Sequence, residues 1–411
     1  MLCNINDCLI EDARRILTLL CFASRPLTVQ EVIDGVAVEL NSSSGLNRKR
    51  RLQDFNNIQE ICIGFIDIGP GADYTTELYH EEELTLTVRI AHFSVQEYLK
   101  SERIRHRKAA AFSLTSDVAH AEIAQICLVY LLEHGLSSAN LDRSLLQEFP
   151  LAQYAATYWY HHYQNTVHYA FERNDFILKL FQRQDSFMTW VKLHDIDRPW
   201  DTSIDFRLTL DDIAAPVYYA SLMGLDQVLH KLINSKQLES TTIPALPPAS
   251  TFNVFKKFNT KGGLFGNALQ AASGEGHDKV MQMLLDQGVD VNAQGGGVYG
   301  NALQAASCKG HDKVVQILLN QGADVNAQGG WYGNALQAAS REGHDKVVQM
   351  LLDQGADVNA QGGLFGNALQ AASHKDHDKV VQMLLDQGAD VNAQGGEYGN
   401  ALQAASYRGH D

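Results

Sequence analysis

Residues 332–360 read YGNALQAASREGHDKVVQMLLDQGADVNA, and this text recurs in almost five consecutive copies between Leu264 and Asp411. A Gly-Asn pair opens each copy, and the pairs stand 34, 33, 33 and 33 residues apart, at 266/267, 300/301, 333/334, 366/367 and 399/400. A regular period of this length is typical of stacked units that bury their apolar faces only against one another. The repeats therefore predict a long binding surface rather than an enclosed pocket.

Each copy predicts two short helices joined by a turn. The Asn of the Gly-Asn pair precedes the first, inner helix, where its side chain is suited to cap the free N–H groups. The small residues Ala-Ala-Ser that follow allow neighbouring inner helices to approach closely. In the second, outer helix, Val280, Leu284 and Leu285 fall on one side, and Gly288 ends the helix as a C-terminal glycine does.

This pattern closely resembles the ankyrin-repeat family over residues 262–411. The family usually has Thr-Pro-Leu-His where this chain has Asn-Ala-Leu-Gln, and a glycine where this chain has an aromatic residue at each hairpin tip. Residues 211–261 predict a degenerate first repeat with a long loop, and residues 262–411 predict four full repeats and a truncated fifth. Since a terminal repeat needs a polar cap, we expect residues 399–411 to be the least protected part of the array.

Upstream of the repeats, the pattern predicts a winged-helix domain at residues 1–110 and a helical spacer at residues 111–210. The elements expected in the first domain are helices at 11–24, 27–38, 54–63 and 93–101 and strands at 64–68 and 84–91. Pro26 blocks helix continuation just before Thr28, which is a suitable N-cap. The predicted fold class is therefore mainly α: a winged-helix domain and a helical spacer, followed by an ankyrin-repeat α-solenoid.

The segments Ala13–Leu17, Ala23–Thr28 and Arg89–Leu99 resemble the winged-helix segment of fungal NACHT proteins. These are relatives of the NOD-like receptors, of the STAND class of signal-transducing NTPases, and some families name the segment after GPI inositol-deacylase. The resemblance implies a part in signalling or in non-self recognition. It also implies that His92 approaches the nucleotide phosphate when an NTPase domain is present. The alternative is a core histidine at the end of a strand.

Composition and charge narrow the classes of partner. The net charge is −15, and residues 262–411 hold 8 Lys/Arg against 16 Asp/Glu, so the array repels phosphate backbones and we expect no nucleic-acid ligand there. Six cysteines without a C-x-x-C motif suit reduced core thiols. The sequence has no apolar run of roughly 18 residues and no leader, so we expect a cytoplasmic protein without a membrane span. We also expect a monomer when no NTPase domain is present.

The sequence has none of the common catalytic signatures. It lacks both the Gly-x-x-x-x-Gly-Lys-Ser/Thr loop that cradles phosphates and the Gly-x-Ser-x-Gly nucleophile motif. His80 is followed by three glutamates but by no second histidine, and the adjacent His161 and His162 diverge on a helix. We therefore expect a non-enzymatic protein with no catalytic residue, no metal and no cofactor.

Two basic clusters, Arg48–Arg51 and Arg103–Lys108, leave another alternative open. Winged helices can bind DNA, and a basic run can be a nuclear signal. The other interpretation is a solvated loop and a helix end. Neither cluster falls on the third helix, which usually enters the DNA groove.

The copies differ from one another in few places. Residues 331–363 and 364–396 differ at five of 33 positions, all at the hairpin tip or at the end of the inner helix. In ankyrin stacks these places form the concave edge, so they predict a partner-binding surface; the alternative is drift at exposed positions. The predicted partner-binding residues are Leu264, Phe265, Val298, Tyr299, Cys308, Lys309, Trp331, Tyr332, Arg341, Glu342, Leu364, Phe365, His374, Lys375, Glu397 and Tyr398.

Three functions fit these observations. The first is a non-enzymatic interaction scaffold or sensor that binds a protein on the ankyrin surface, within fungal NOD-like-receptor signalling by resemblance. The second is the C-terminal part of a nucleotide-driven NACHT switch whose P-loop domain lies outside this chain. The third is a winged-helix DNA-binding protein with an ankyrin arm.

The absence of a phosphate-cradling loop generates the first prediction. The chain alone should neither bind nor hydrolyse ATP or GTP, because nothing in its sequence supplies the backbone cradle and the lysine that bind phosphates. Isothermal titration calorimetry with each nucleotide should give no binding heat. Saturable binding at micromolar concentrations would contradict the prediction.

Overall fold

The computed structural model describes residues 2, 5–40, 45–52, 55–71, 86–137, 140–166, 175–201, 203–234 and 263–409. It divides into two compact units, Met1–Arg207 and Leu208–Asp411, which are described separately below. Three parts of the sequence discussed above lie outside the described residues: residues 235–261 of the segment expected to contain a long loop, the acidic run at 80–83, and the final residue Asp411.

The first unit begins with helices around a small antiparallel sheet. Its central strand β3 pairs with both neighbours, so that Leu27 lies opposite Val88 and Ile66 lies opposite Ile90. The strands are β1 (Leu27–Thr28), β2 (Ile66–Pro70) and β3 (Leu86–Ile90), and the helices are α1 (Ile10–Phe22), α2 (Val29–Ala37), α3 (Phe55–Ile61), α4 (Phe93–Lys100) and α5 (Glu102–Arg105). Three helices followed by an antiparallel pair of strands form the winged-helix arrangement that the sequence predicts.

Capping fixes where α2 begins. The Thr28 side chain accepts a hydrogen bond from the Glu31 N–H at 3.2 Å, and the Glu31 carboxylate accepts one from the Thr28 N–H at 2.8 Å. This reciprocal capping box confirms Thr28 as the N-cap. The sequence did not predict β1, because a two-residue strand is too short to show an alternating pattern.

The rest of the first unit is a helical bundle. Its helices are α6 (Ser116–Leu131), α7 (His134–Ser137), α8 (Arg143–Glu148), α9 (Ala152–Gln164), α10 (Asp175–Gln182) and α11 (Gln184–Leu193). Trp159 and Trp190 meet edge to face in its core with ring centroids 5.8 Å apart, and Trp190 Nε1 donates to the Ala156 carbonyl at 3.2 Å. This packing explains why the aromatic-rich segments of the chain are helical here.

Within the described residues, the spacer predicted at 111–210 is helical no further than Leu193. Asp195, Asp201 and Asp205 each accept a hydrogen bond from the backbone N–H two residues later, at 3.1, 3.0 and 2.9 Å. Aspartate side chains that bind their local backbone in this way compete with helical hydrogen bonding and favour turns. A sequence pattern of helical period does not detect this competition.

The second unit is a stack of helix pairs. The inner helices are α12 (Pro216–Leu222), α14 (Ala268–Gly274), α16 (Ala302–Lys309), α18 (Ala335–Glu342), α20 (Ala368–His374) and α22 (Ala401–Arg408); the outer helices are α13 (Asp226–Asn234), α15 (Asp278–Asp286), α17 (Asp312–Asn320), α19 (Asp345–Asp353) and α21 (Asp378–Asp386). Each inner helix packs against the next inner helix. The Asn334 side chain accepts from the Gln337 N–H at 2.8 Å, and the equivalent Asn in the other four copies makes the same contact, so the predicted N-caps are confirmed.

A buried glutamine joins each repeat to the next. Gln304 Nε2 donates to the Gly333 carbonyl at 3.0 Å, and Gln337 Nε2 donates to the Gly366 carbonyl at 3.1 Å. Both side chains are buried, so these bonds replace hydrogen bonds that water would otherwise make. The departure from the usual Thr-Pro-Leu-His therefore places an amide that reaches across the repeat boundary.

The repeat histidines also connect neighbours. His311 Nε2 lies 2.9 Å from the Gly274 carbonyl, and His344 Nε2 lies 3.0 Å from the Cys308 carbonyl, each at the end of the preceding inner helix. A Cβ added at Gly310, which has a φ of +72°, would meet the His344 ring at 2.6 Å. The glycine before each histidine thus allows both the left-handed turn and the close approach of the next ring. These histidines cap helix ends one at a time along the stack.

The end of the stack generates the second prediction. Leu336 and Leu402 occupy the same place in two copies, but Leu336 is 1% exposed and Leu402 is 76% exposed. Leu336→Ala should lower the free energy of unfolding by about 2–5 kcal/mol, because it removes apolar contacts and leaves a cavity. Leu402→Ala should lower it by less than about 1 kcal/mol, because an exposed side chain makes few such contacts.

Urea titration of each full-length variant, followed by far-UV circular dichroism, measures both effects. Wild-type chain in the same buffer is the reference. Equal shifts for the two variants would mean that Leu402 is covered as well as Leu336 is.

Candidate partner-binding surface

An exposed row of side chains runs along the hairpin tips of the second unit. We call it the ridge, and it consists of the residue before each tip aromatic residue: Leu264, Val298, Trp331, Leu364 and Glu397. The Trp331 N–H donates to the Val298 carbonyl at 2.7 Å, the Leu364 N–H to the Trp331 carbonyl at 3.0 Å, and the Glu397 N–H to the Leu364 carbonyl at 2.9 Å. Backbone hydrogen bonds between equivalent residues therefore hold neighbouring tips together.

Exposure along the ridge is greatest in its middle. Trp331 is 66% exposed and Leu364 is 37% exposed, whereas Leu264 and Val298 are partly buried. Glu397 is also exposed and places a carboxylate beyond Leu364. The ridge is thus apolar over four consecutive tips and acidic at the fifth.

Behind the ridge, the tip aromatic residues form a second row, which we call the aromatic column: Phe265, Tyr299, Tyr332, Phe365 and Tyr398. Ring centroids lie 5.0 Å apart for the first pair, 6.1 Å apart for the second pair and 6.1 Å apart for the last pair. Exposed fractions of 4% for Phe265, 8% for Tyr299 and 5% for Phe365 show that these three rings are part of the core, whereas Tyr332 and Tyr398 are partly buried. The expectation that Phe265, Tyr299 and Phe365 contact a partner is therefore corrected, because neighbouring side chains of the array cover their rings.

The residue at the end of each inner helix packs on the column. Arg341 places its guanidinium carbon 5.5 Å from the Tyr332 ring centroid and 5.2 Å from that of Phe365. His374 stacks on Tyr398 at 4.6 Å and is 3% exposed. The residue at this position differs between copies, and in these two copies its side chain packs against an aromatic ring. Packing against the column therefore also constrains which residue can occupy this position.

Two further copies show the same relation between the inner-helix end and the column. A Cβ added at Gly274 would lie 2.2 Å from Phe265 Cε1, so only glycine leaves room for that ring. Cys308, which is 6% exposed, shares a side-chain hydrogen bond with Tyr332. Cys308 and His374 were expected to contact a partner; their burial assigns them to the support of the ridge instead.

Burial also sets the ionisation of these groups. It raises the pKa of the Tyr299 hydroxyl to about 12 and raises the pKa of the Tyr332 hydroxyl as well, with a smaller contribution from Cys308. Burial likewise raises the pKa of the Cys308 thiol. These groups therefore remain neutral near pH 7, and the column acts as an uncharged support.

The residues one position further along form a charged row beside the column, with two carboxylates and three cations: Glu275, Lys309, Glu342, Lys375 and Arg408. Lys309 and Arg408 are exposed, and Lys375 is partly buried. Glu342 forms an ion pair with Arg341, so part of its charge is neutralised within the chain.

The rings of the column lie 5.0–6.1 Å apart in the pairs that stack directly. Packed helices usually lie roughly 8–10 Å apart. The tips are thus more closely spaced than is usual for packed helices.

In the first unit, His92 lies at an exposed position and not in the core, so the expected alternative of a core histidine is wrong. It is the N-cap of α4, and its Nδ1 accepts from the Ser94 N–H at 3.1 Å. The next residue, Phe93, is 66% exposed. An imidazole and an aromatic ring thus stand together at the surface.

Three arginines of the basic cluster at residues 48–51 form ion pairs with acidic residues. Arg48 pairs with Glu148, Arg50 pairs with Asp12 at 2.7 Å, and Arg51 pairs with Asp34 at 2.7 Å. The Arg48–Glu148 pair joins the winged helix to the helical bundle, whereas the other two pairs lie within the winged helix. Arginines that are already paired in this way are poor candidates for phosphate contacts.

The adjacent histidines diverge in the structure as the sequence predicted. His161 is exposed, whereas His162 is buried, with Nε2 2.9 Å from the Tyr154 hydroxyl and Nδ1 2.8 Å from His120 Nδ1. Burial lowers the pKa of His162 to about 3, so it is neutral near pH 7. Within the described residues, no group of three or more His, Cys, Asp or Glu side chains is arranged to hold a metal ion.

A search of the described residues for membrane spans gives none: their helices are too short or too polar to cross a bilayer.

Comparison with known proteins agrees with the two parts of this fold. Residues 217–329, 269–362 and 336–411 match ankyrin repeats in three overlapping copies. Residues 3–119 match the winged helix domain of GPI inositol-deacylase. The chain therefore combines ankyrin repeats, which are non-catalytic interaction modules, with a winged helix domain that takes its name from an enzyme.

One curated relative is the "Azaphilone pigments biosynthesis cluster protein L" of Monascus ruber. It is 47% identical over 294 residues, which cover 71% of this chain and 58% of the relative. The matched part of the chain thus spans less than two thirds of the relative's length.

The contrast between ridge and column generates the third prediction. Phe365→Ala should lower the free energy of unfolding by about 3–5 kcal/mol, because it empties a buried ring position under Arg341 and Tyr398. Trp331→Ala should change it by less than about 1 kcal/mol, because that ring is largely in water. Chemical denaturation of both variants checks the pair, and a large loss on removing Trp331 would show that the ridge is structural.

Proposed function

We propose that this protein binds a protein partner along the ridge and acts as a non-enzymatic interaction scaffold. The observation that carries the proposal is the 66% exposure of Trp331 between two backbone hydrogen bonds, one to Val298 and one from Leu364. Trp331 stands in an apolar row with Val298 and Leu364, and a contiguous exposed apolar surface marks an interaction site more often than a single exposed ring does. Tryptophan is also among the residues that most often dominate binding energy in interfaces.

The rigidity of the ridge supports the same function. Hydrogen bonds fix its backbone on both sides of Trp331, and the buried aromatic column supports it from behind. A surface that is already ordered loses little conformational entropy on binding. A specific interface buries roughly 800 Å² on each partner, which requires several adjacent repeats.

The chemistry of the site agrees with binding rather than catalysis. The column is neutral, and the charged row consists of isolated or internally paired groups such as Arg341 with Glu342. A catalytic site of the common classes requires a nucleophile, a base and an oxyanion or metal site at mutual hydrogen-bond distance. The ridge offers an apolar edge with flanking charges instead, which is the anatomy of an interface.

As the biological setting we propose regulation by assembly, in a fungal NOD-like-receptor type of signalling or non-self recognition. The winged helix domain before the repeats is the feature that this setting shares with the resembled proteins. The relative from Monascus ruber carries the name of a pigment biosynthesis cluster protein. By analogy, the chain would serve such a cluster by recruiting or sensing another protein.

A second candidate is the C-terminal part of a nucleotide-driven switch. The exposure of His92 and Phe93 at the start of α4 favours it, because both would be available to an adjacent NTPase domain. A P-loop encoded in frame upstream of this chain would favour this candidate over the first. The third function, DNA binding, is disfavoured by the ion pairs of Arg48, Arg50 and Arg51.

The test of the proposed function uses two matched tryptophans. Partners are captured from an extract of the native host with the full chain and identified by mass spectrometry. Trp331→Leu, which installs the residue of the next copy, should weaken binding of the purified partner at least about tenfold, as loss of a central aromatic contact does. Trp200→Leu is the control, since Trp200 is 67% exposed but lies in the other unit.

Both variants should keep the wild-type circular dichroism spectrum and melting temperature. The proposal fails if the purified partner binds the Trp331→Leu variant as tightly as the wild type while the fold is intact.

A further inference from the structure

We propose that the partner presents an amphipathic α-helix, which lies along the ridge with one helical turn for each repeat. This inference rests on the proposed function and gives the partner a chemistry. It follows from three properties of the ridge: its spacing, its apolar length and the position of its charges.

The spacing of the ridge comes from its backbone hydrogen bonds. Equivalent residues are joined N–H to carbonyl at 2.7 Å between Trp331 and Val298 and at 3.0 Å between Leu364 and Trp331. Chains joined in this way lie about 4.8 Å apart, as neighbouring β-strands do. The same spacing continues to Glu397, which is joined to Leu364 at 2.9 Å.

An α-helix matches this spacing better than an extended segment. The pitch of an α-helix is about 5.4 Å, which exceeds the distance of about 4.8 Å between neighbouring tips by only about 0.6 Å. Side chains at i, i+4, i+7 and i+11 of the helix therefore meet successive tips. An extended strand returns to the same face every 6.4–6.8 Å or so, which exceeds each step by about 2 Å. Over three steps, a strand is therefore out of register by a whole ridge position.

A polyproline segment fits less well still. It repeats after three residues, or about 9 Å, so it would meet only every second tip.

The side chains of the ridge set the chemistry of the helix. The apolar part of the ridge is complementary to a continuous apolar stripe of about four helical turns, and an amphipathic helix presents such a stripe to a groove. This part of the ridge consists of Leu264, Val298, Trp331 and Leu364. At the next tip, Glu397 is exposed, so its carboxylate would be complementary to a basic residue at that end of the partner helix. Lys309, which is exposed beside the column, favours an acidic residue on the flank of the helix.

The test compares two peptide libraries displayed on phage, each of about 16 residues, which is roughly four helical turns. In the first, apolar residues occupy one helical face and the remaining positions are random. In the second, the same residues alternate with random ones, as on one face of a strand. Both are selected against the full chain, and enriched peptides are measured by fluorescence anisotropy.

The expected result is enrichment from the helical library. Enriched peptides should bind the Trp331→Ala variant at least about tenfold more weakly and the Trp200→Ala variant with unchanged affinity. A proline at a central, outward-facing position of the peptide should abolish binding, since it breaks a helix but leaves an extended segment intact.

Each other result overturns the inference. Enrichment from the alternating library alone, or binding that survives the central proline, replaces the helix with an extended partner and leaves the proposed function standing. Failure of both libraries, or enriched peptides that bind the Trp331→Ala variant as well as the wild type, removes a linear segment as the occupant. If a host protein is then captured by the wild type but not by the Trp331→Ala variant, the proposed function still stands. If the variant captures the same host protein as well as the wild type does, both the helix inference and the proposed function are overturned.

Discussion

The array depends on a buried amide that crosses each repeat boundary. Gln304 donates to the Gly333 carbonyl from a fully buried position, and Gln270, Gln337 and Gln370 repeat the contact at 2.6, 3.1 and 2.9 Å. A buried carbonyl without a donor is costly, so a repeat that slips or tilts loses this bond without gaining one from water. The glutamine therefore fixes the position of each hairpin tip relative to the helix before it. Everything at the tips, including the hydrogen-bonded ridge, follows from that constraint.

Once the tips are fixed, the aromatic column determines how the copies can differ. A ring at each tip must be covered, and the residue at the end of the inner helix covers it in a different way in each copy. Gly274 makes space for Phe265, Cys308 bonds to Tyr332, and Arg341 lies between Tyr332 and Phe365. Variation at that position is thus compatible with a conserved architecture and does not by itself indicate a ligand. Variation on the ridge has no such internal explanation, because Trp331 projects into water.

The first unit shows a similar division between structure and surface. Three arginines of its basic cluster form ion pairs with Glu148, Asp12 and Asp34. Its buried His162 is neutral and lies between Tyr154 and His120. The groups that remain at the surface are less conspicuous in the sequence, chiefly His92 and Phe93 at the start of α4. A run of charged residues is easy to see in a sequence. Whether those side chains can bind a partner depends on whether they already form ion pairs within the chain.

The sequence by itself determined the features that depend on neighbours along the chain. The Asn caps of the inner helices and the N-cap at Thr28 are local, and each was predicted correctly because its physical cause lies within a few residues. The tertiary structure decided which tip residue faces water. Trp331 and Tyr332 are adjacent aromatic residues, and nothing local separates the exposed ring from the one in the column. The preceding repeat contacts the Tyr332 ring through Tyr299, whereas Trp331 remains largely in water, so burial there is a property of the stack.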